Sequence, residues 1–324
     1  MPTMADIEVA RQRVTAHVWR TPLVRLDPMR TELFAQNTEI YLKLENLQSI
    51  GAFKIRGAAA VVGDLAPEDL ARGLVTASAG NMAQAVAHLA REMGVPCTVL
   101  VPNFAPETKV AANERLGAHV IRVTYEQWWQ AFHDRVFPGA EGTFVHAFDD
   151  PRVMAGNATI ALEILEDLPD VAAIVTPWGG GGLTCGVASA LATAKPSCRV
   201  VAAEVAGAAP YAAAVEAGRP VEIEYKPSFV DGIGSRSVFP DMFKWARMLG
   251  VQSAVASVDE VAAALLLTAE RNHMIAEGAG ACPVACAIAG RAGGGKVVCV
   301  VSGGNIDLEE VALLVATYRK KLES

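Results

Sequence analysis

Short β-branched runs recur along this chain, each separated from the next by a longer alanine-rich stretch, and that alternation admits few folds. The runs CTVLVP (97–102), HVIRV (119–123), VAAIVTP (171–177), CRVVAAEV (198–205) and KVVCVVSGG (296–304) have strand length and are largely apolar. A strand apolar on both faces needs cover on both, as in a parallel sheet between layers of helices. Between them, MAQAVAHLAREMG (82–94), TIALEILEDL (159–168), LTCGVASALATA (183–194) and SVDEVAAALLLTAERNH (257–273) read as helices. Gly94 and Pro169 supply ordinary stop signals. The expected class is α/β, with helices on both faces of open twisted sheets.

Composition narrows what such a fold does. At 324 residues, 52% hydrophobic and 19% charged, the chain suits one large or two medium domains with a buried core. A net charge of −7 argues against a nucleic-acid partner, which calls for a basic face. No apolar run reaches the length of a membrane span, and the first residues, MPTMADIEVARQRV, read as a polar helix without a signal core. The six cysteines, at 97, 185, 198, 282, 286 and 299, are scattered through apolar segments and read as reduced core residues. Cys282 and Cys286 stand four apart, but no further pair completes a zinc set. A cytoplasmic location follows as the expectation. The segment 124–144 (TYEQWWQAFHDRVFPGAEGTF) reads as a helix and loop at a domain edge.

Chemistry concentrates at a lysine and three glycine turns. In GAFKIRGAAA (51–60), Lys54 stands between Phe53 and Ile55, where desolvation disfavours an ammonium ion and favours an amine nucleophile. Alone, the segment favours a lysine whose stem covers apolar surface; the glycine turns reverse that reading. They are SAGNMAQ (78–84), WGGGGLTCG (178–186) and VSGGN (301–305), each after an apolar run. Ligands of open α/β sheets bind beyond the carboxyl ends of the strands, so three such turns converge on one crevice. Four consecutive glycines, Gly179 to Gly182, exceed what a tight connection needs and read as a backbone nest for a phosphate. Two nucleotide motifs fail. No GxGxxG precedes an acidic residue, and GRAGGGK (290–296) has Val297 in place of a Ser or Thr and leads into a strand, not a helix.

Together these pieces resemble the fold type II pyridoxal-phosphate enzymes, specifically the threonine/serine dehydratase (ammonia-lyase) and serine racemase group. The likeness runs through 20–26 (RTPLVRL), 43–58 (KLENLQSIGAFKIRGA), 78–84, 101–109 (VPNFAPETK), 148–165 (FDDPRVMAGNATIALEIL), 179–183, 231–233 (DGI), 276–281 (AEGAGA) and 302–305 (SGGN). The resemblance implies a tryptophan synthase beta-like fold of two open twisted α/β domains, with pyridoxal 5'-phosphate in the cleft between them. A small domain at 67–149 would be inserted in a large one formed by 1–66 and 150–324, in a homodimer. It implies that Lys54 carries the cofactor as a Schiff base and that Phe53 packs beside its ring. Gly179, Gly180, Gly181, Gly182 and Leu183 match the phosphate loop. Asn81 matches the partner of the ring hydroxyl, and Ser302 the residue facing the pyridine nitrogen. Ser78, Ala79, Gly80 and Asn81 match the turn that receives the substrate carboxylate.

The implied reaction is β-elimination of a 3-hydroxy amino acid such as L-threonine or L-serine, giving a 2-keto acid and ammonia, with Lys54 as base. Met82 stands where relatives usually have histidine, and Ala79 where racemases have a serine acid/base, which disfavours racemisation. Glu204 is a remnant of a cation site that lacks its proline and second acid, so no metal is expected. Arg236 is a candidate partner for a side-chain carboxylate, as in 3-hydroxyaspartate. Phenylserine, hydroxyectoine-derived amino acids, a serine racemase-like activity and a catalytically silent cofactor-binding protein are the alternatives. The chain leaves no room for the C-terminal regulatory domain of biosynthetic threonine dehydratases.

Overall fold

Among the residues that the structure, a computed structural model, describes (1–26 and 38–322), the strands form two sheets. The first is six-stranded. It comprises β1 (Leu23–Arg25), β2 (Thr38–Lys43), β7 (Ala173–Pro177), β8 (Arg199–Val205), β9 (Gln252–Ala256) and β10 (Gly295–Val300). Their order is β1-β2-β10-β7-β8-β9, and every pairing but β1–β2 is parallel. The second holds β3 (Leu74–Ala77), β4 (Cys97–Pro102), β5 (His119–Val123) and β6 (Thr143–Phe144) in the all-parallel order β5-β4-β3-β6. This is the α/β architecture that the alternation demands.

All five expected strands are present. The run 296–304 ends as a strand at Val300 because the chain then turns through Ser302–Asn305. β3 and β1 escape sequence reading because four and three residues carry no periodicity, and β2 (TEIYLK) mixes charged with apolar positions. The helices Asn81–Met93, Gly182–Ala194 and Val258–Asn272 match expectation closely. The segment read as 159–168 is the second half of a longer helix, Pro151–Asp167. Its true start is set by Asp150, whose carboxylate accepts from the Arg152 amide at 2.8 Å, with proline in the first turn. Polar helix Met4–Val14 and helix Tyr125–Asp134 lie where anticipated, and all six cysteines are free and buried.

Behind the helix Lys54–Val62 lies a buried network of four charges. Lys43 and Arg56 meet Glu45 and Glu163, and the first three are fully buried. The Arg56 guanidinium donates to both Glu45 oxygens at 2.8 Å and to both Glu163 oxygens at 2.7 and 2.9 Å. Lys43 Nζ donates to Glu163 at 2.5 Å and to the Thr21 carbonyl at 2.7 Å. Burial alone would raise the Glu45 carboxyl, but Arg56 and the Thr21 hydroxyl hold it below its ordinary value. The charges sum to zero, and every donor of the Arg56 fork has an oxygen to meet. The two helices can approach this closely because Gly156 carries no side chain; a Cβ there would sit 2.3 Å from the Arg56 carbonyl oxygen.

Removing one partner strands the others in a dry interior. Arg56→Ala is expected to lower unfolding free energy by about 3–5 kcal/mol, read as a shifted urea midpoint. A loss below about 1 kcal/mol, the range of surface pairs, would contradict the network's role.

Candidate active site

The carboxyl ends of the strands decide where the chemistry sits. β3 ends one residue before Ser78, β7 two before Gly179, and β10 two before Ser302. All three turns, with Lys54, line one cavity of about 900 Å³. Lys54 opens its helix immediately after Phe53, whose amide donates to the Ser302 carbonyl at 2.9 Å. Its Nζ donates to the Ala147 carbonyl at 2.6 Å and lies 5.1 Å from the Phe53 ring centroid. Burial pulls the ammonium down to about 8, against the opposing pull of Glu277. An amine so placed is available unprotonated near neutral pH.

A hydrogen-bond chain ties the turns together. Asn81 Nδ2 donates to Glu277 Oε1 at 2.9 Å, and Asn81 Oδ1 accepts from Asn305 Nδ2 at 2.8 Å. Asn305 Nδ2 also donates to the Ile50 carbonyl at 2.9 Å, while the Glu277 amide donates to Gly303 O at 2.9 Å. Asn81 keeps one amide hydrogen for a ligand. Glu277 is the residue that sequence reasoning missed. It lies inside the AEGAGA segment, yet only the fold brings it to Asn81, 196 positions away. Burial and nearby Asp231 push its carboxyl up to about 7. A half-buried acid and a half-buried amine, both poised near neutrality, therefore face one cavity.

The glycine loop has the form of an anion cradle. Gly181, at φ +89°, precedes helix Gly182–Ala194, and the first-turn amides of that helix have no intrahelical acceptor. A Cβ on Gly180 would lie 2.0 Å from the Phe148 ring, and one on Gly182 2.8 Å from Phe148 Cα. No other residue type fits there, so the loop keeps its backbone bare toward the cavity. Leu183 and Ser302 are buried and border the same space. Ser78 and Gly80 line it at the start of helix Asn81–Met93, with the Gly80 amide donating to Ser78 Oγ at 3.3 Å. A group with a phosphate at one end and an aldehyde at the other fits these residues.

Not every candidate is brought in. Arg236 is exposed and outside the cavity lining; the main-chain contact it makes is its carbonyl accepting from the Ile223 amide at 2.9 Å. So placed, Arg236 does not line the space that a substrate side chain would occupy. Ala79 packs beside the cavity with its carbonyl on Asn113 Nδ2 at 3.1 Å. Met82 borders the cavity but is buried in the main core. Glu204 accepts the Tyr211 and Ala212 amides at 2.7 and 2.8 Å, which makes it the cap of helix Pro210–Ala217. Burial raises that carboxyl to about 7 despite the two amides.

A poised lysine facing an anion cradle across a buried cleft defines an enzyme built around a carbonyl cofactor that bears a phosphate. The chain belongs to the family of pyridoxal-phosphate dependent enzymes, whose model matches residues 14–303, and its cofactor is pyridoxal phosphate. It is 40% identical over 313 residues to an L-threonine ammonia-lyase of Geobacter sulfurreducens, covering 95% of this chain and 77% of that one. It is 38% identical over 319 residues to an L-threonine ammonia-lyase of Thermotoga maritima, covering 97% and 78%. The structure of maize serine racemase superposes with a TM-score of 0.88 at 28% identity, over 100% of this chain and 99% of that one. The fold is thus that of the fold type II enzymes.

The depressed lysine has a direct readout. In cofactor-free protein, acetylation of Lys54 by acetic anhydride, followed by mass spectrometry, should rise with pH and level off above about 8. A midpoint at the ordinary value of 10.5 would mean that burial does not poise this amine.

Proposed function

We propose that this protein catalyses β-elimination of a 3-hydroxy L-amino acid, releasing a 2-keto acid and ammonia. The observation that carries the proposal is Lys54, an amine held near neutrality opposite the bare glycine loop in one cavity. The ammonia-lyase relatives, alike over nearly the whole chain, support the same reaction class. Bound pyridoxal phosphate supplies the electron sink that makes the Cα proton of an amino acid removable.

The chain's own groups do the rest. Amides of Gly179, Gly180, Gly181, Gly182 and Leu183 hold the phosphate, with the helix N-terminus adding its partial positive charge. Phe53 would pack beside the cofactor ring, and the spare hydrogen of Asn81 Nδ2 would serve its ring hydroxyl. Ser302 faces the ring nitrogen with a hydroxyl, which does not enforce a charge there as a carboxylate would; that favours elimination over longer-lived chemistry. The turn of Ser78, Ala79, Gly80 and Asn81 receives the substrate carboxylate at the start of its helix. Lys54 Nζ takes the Cα proton as general base.

Racemisation requires a second proton-exchanging group on the opposite face, and Ala79 has none. A cytoplasmic homodimer acting on a free amino acid completes the reading; light scattering during size-exclusion chromatography tests the dimer, and a monomeric mass refutes it. Keto-acid release by the purified holoenzyme tests the reaction. Lys54→Ala should reduce turnover by about 100- to 10,000-fold, the usual worth of a positioned general base, with an unchanged melting profile. Undiminished turnover in that variant removes Lys54 from the proposal.

A further inference from the structure

The cavity has a wall that the reaction itself does not require. Helix Tyr125–Asp134 turns Trp129 and Phe132 toward it, the segment after β6 adds Phe148, and the residue before helix Pro240–Met248 adds Phe239. The rings touch in sequence. Phe148 and Phe239 stand edge to face with centroids 4.9 Å apart, Trp129 and Phe239 likewise at 5.8 Å, and Phe132 lies 5.3 Å from Phe148. Phe132 is buried and anchors the group, while Trp129, Phe148 and Phe239 remain partly open. The imidazole beneath them, His146, is uncharged: burial, then Arg135 and Lys54, push it down to about 3. Its Nδ1 accepts the Phe148 and Asp149 amides at 3.2 and 2.7 Å, which fixes the turn carrying Phe148.

Position gives the wall its meaning. Phe148 packs directly on Gly180 of the glycine loop, and the Lys54 amine bonds Ala147 O, one residue away. The wall therefore begins at the reacting centre and extends outward from it. Hydrogen or methyl on a β-carbon, as in serine or threonine, would leave these rings facing water. A flat apolar group would bury them in the offset and edge-to-face contacts that aromatic surfaces favour. A carboxylate would lose its hydration against these rings, because the cations that line the cavity besides Lys54, Lys109 and Arg115, come from helix Glu107–Arg115 and not from this wall.

We infer that the preferred substrate is a 3-hydroxy amino acid with an aryl group on its β-carbon, seated against Trp129, Phe148 and Phe239. This rests on the elimination reading above. For phenylserine the Cα–H and Cβ–O bonds break; the proton passes to Lys54 Nζ and from there to the departing hydroxyl, which leaves as water. The released enamine tautomerises to the imine, and water displaces ammonia to give phenylpyruvate, so atoms balance with no further reactant.

The test compares kcat/KM of the holoenzyme for L-phenylserine, L-threonine, L-serine and 3-hydroxyaspartate. Beside it, calorimetry measures Kd for two unreactive carboxylates, 3-phenylpropanoate and butyrate. The expected results are a phenylserine kcat/KM at least about 10-fold above that for threonine, and phenylpropanoate binding at least about 10-fold tighter than butyrate. Trp129→Arg should lower the phenylserine-to-threonine ratio by about 10-fold or more, and Phe239→Leu, which keeps an apolar core, should lower it in the same direction. A wild-type ratio at or below one overturns the aryl assignment while leaving elimination standing, as does a ratio that neither variant moves. Tight phenylpropanoate binding with no keto acid from any of the four substrates overturns elimination and retains the aryl subsite.

Discussion

The bidentate grip of Arg56 on two carboxylates is the interaction on which the site depends. Arg56 lies two residues beyond Lys54 on the same helix, and its partners come from the chain after β2 and from helix Pro151–Asp167. The helix carrying the amine is thereby fixed in rotation and translation against a segment 11 residues before Arg56 and a helix residue 107 positions beyond it. An apolar interior would bind the same surfaces at least as strongly, since desolvating four charges offsets much of their attraction. What the network adds is register. A guanidinium fork satisfied by four oxygens tolerates little sliding, whereas alanine packed on alanine tolerates a good deal. We read this cluster as the reason that Lys54 points into the cavity and not along it.

Forward of that helix, the fixing is done by neutral hydrogen bonds, and the change of means has a physical reason. Charges beside Lys54 would move its protonation away from the range in which an amine is useful. Asn81 and Asn305 instead join the turns through amide groups, and Glu277, the one carboxylate among them, is held up near neutrality by its own burial. The acid loses its charge below about 7 and the amine above about 8, so both titrate within a narrow range of pH. Strong fixed charge lies behind the helix, while the groups that join the turns beside Lys54 are neutral amides and one carboxyl held near neutrality.

How much of this was legible follows from the range over which each residue acts. Strands buried on both faces declare themselves locally, so β4, β7, β8 and β10 could be read from their apolar runs, while β5, a largely unburied edge strand, was legible from its β-branched residues. The four glycines could be read within their own motif, whereas Lys54 gained its reading only when the glycine turns were taken together, and Ser302 only through the family resemblance; the fold brings all of them to one cavity. Glu277 could not, because its meaning comes from Asn81 and Lys54, which only the two sheets bring near it. Arg236 misled for the converse reason: an arginine near a DGI turn has the right chemistry, and only the fold shows that it lies outside the cavity. The segment 124–144 reads as a helix and loop at a domain edge; the helix is present at Tyr125–Asp134, and what local reading misses is that Trp129 and Phe132 face the cavity.

That aromatic side and the glycine loop are not independent features. Gly180 has no Cβ, and the Phe148 ring occupies the volume that a Cβ would need. The same absence that leaves the loop amides free for a phosphate lets an aromatic ring close on the loop from the side. Phosphate grip and side-chain selection therefore share one contact. The coupling runs in both directions, because Phe148 is held by amide donation to His146, whose ring stands edge-on to Phe148 at 4.8 Å and packs against Phe132 at 4.2 Å. A substrate group pressing on Phe148 would push on the loop proposed to hold the cofactor phosphate. In such an arrangement a well-seated β-substituent improves the alignment of the reacting bonds as well as the affinity, since binding energy from a remote group is realised at the reacting centre. An aryl group and a methyl group would then differ in kcat as well as in KM.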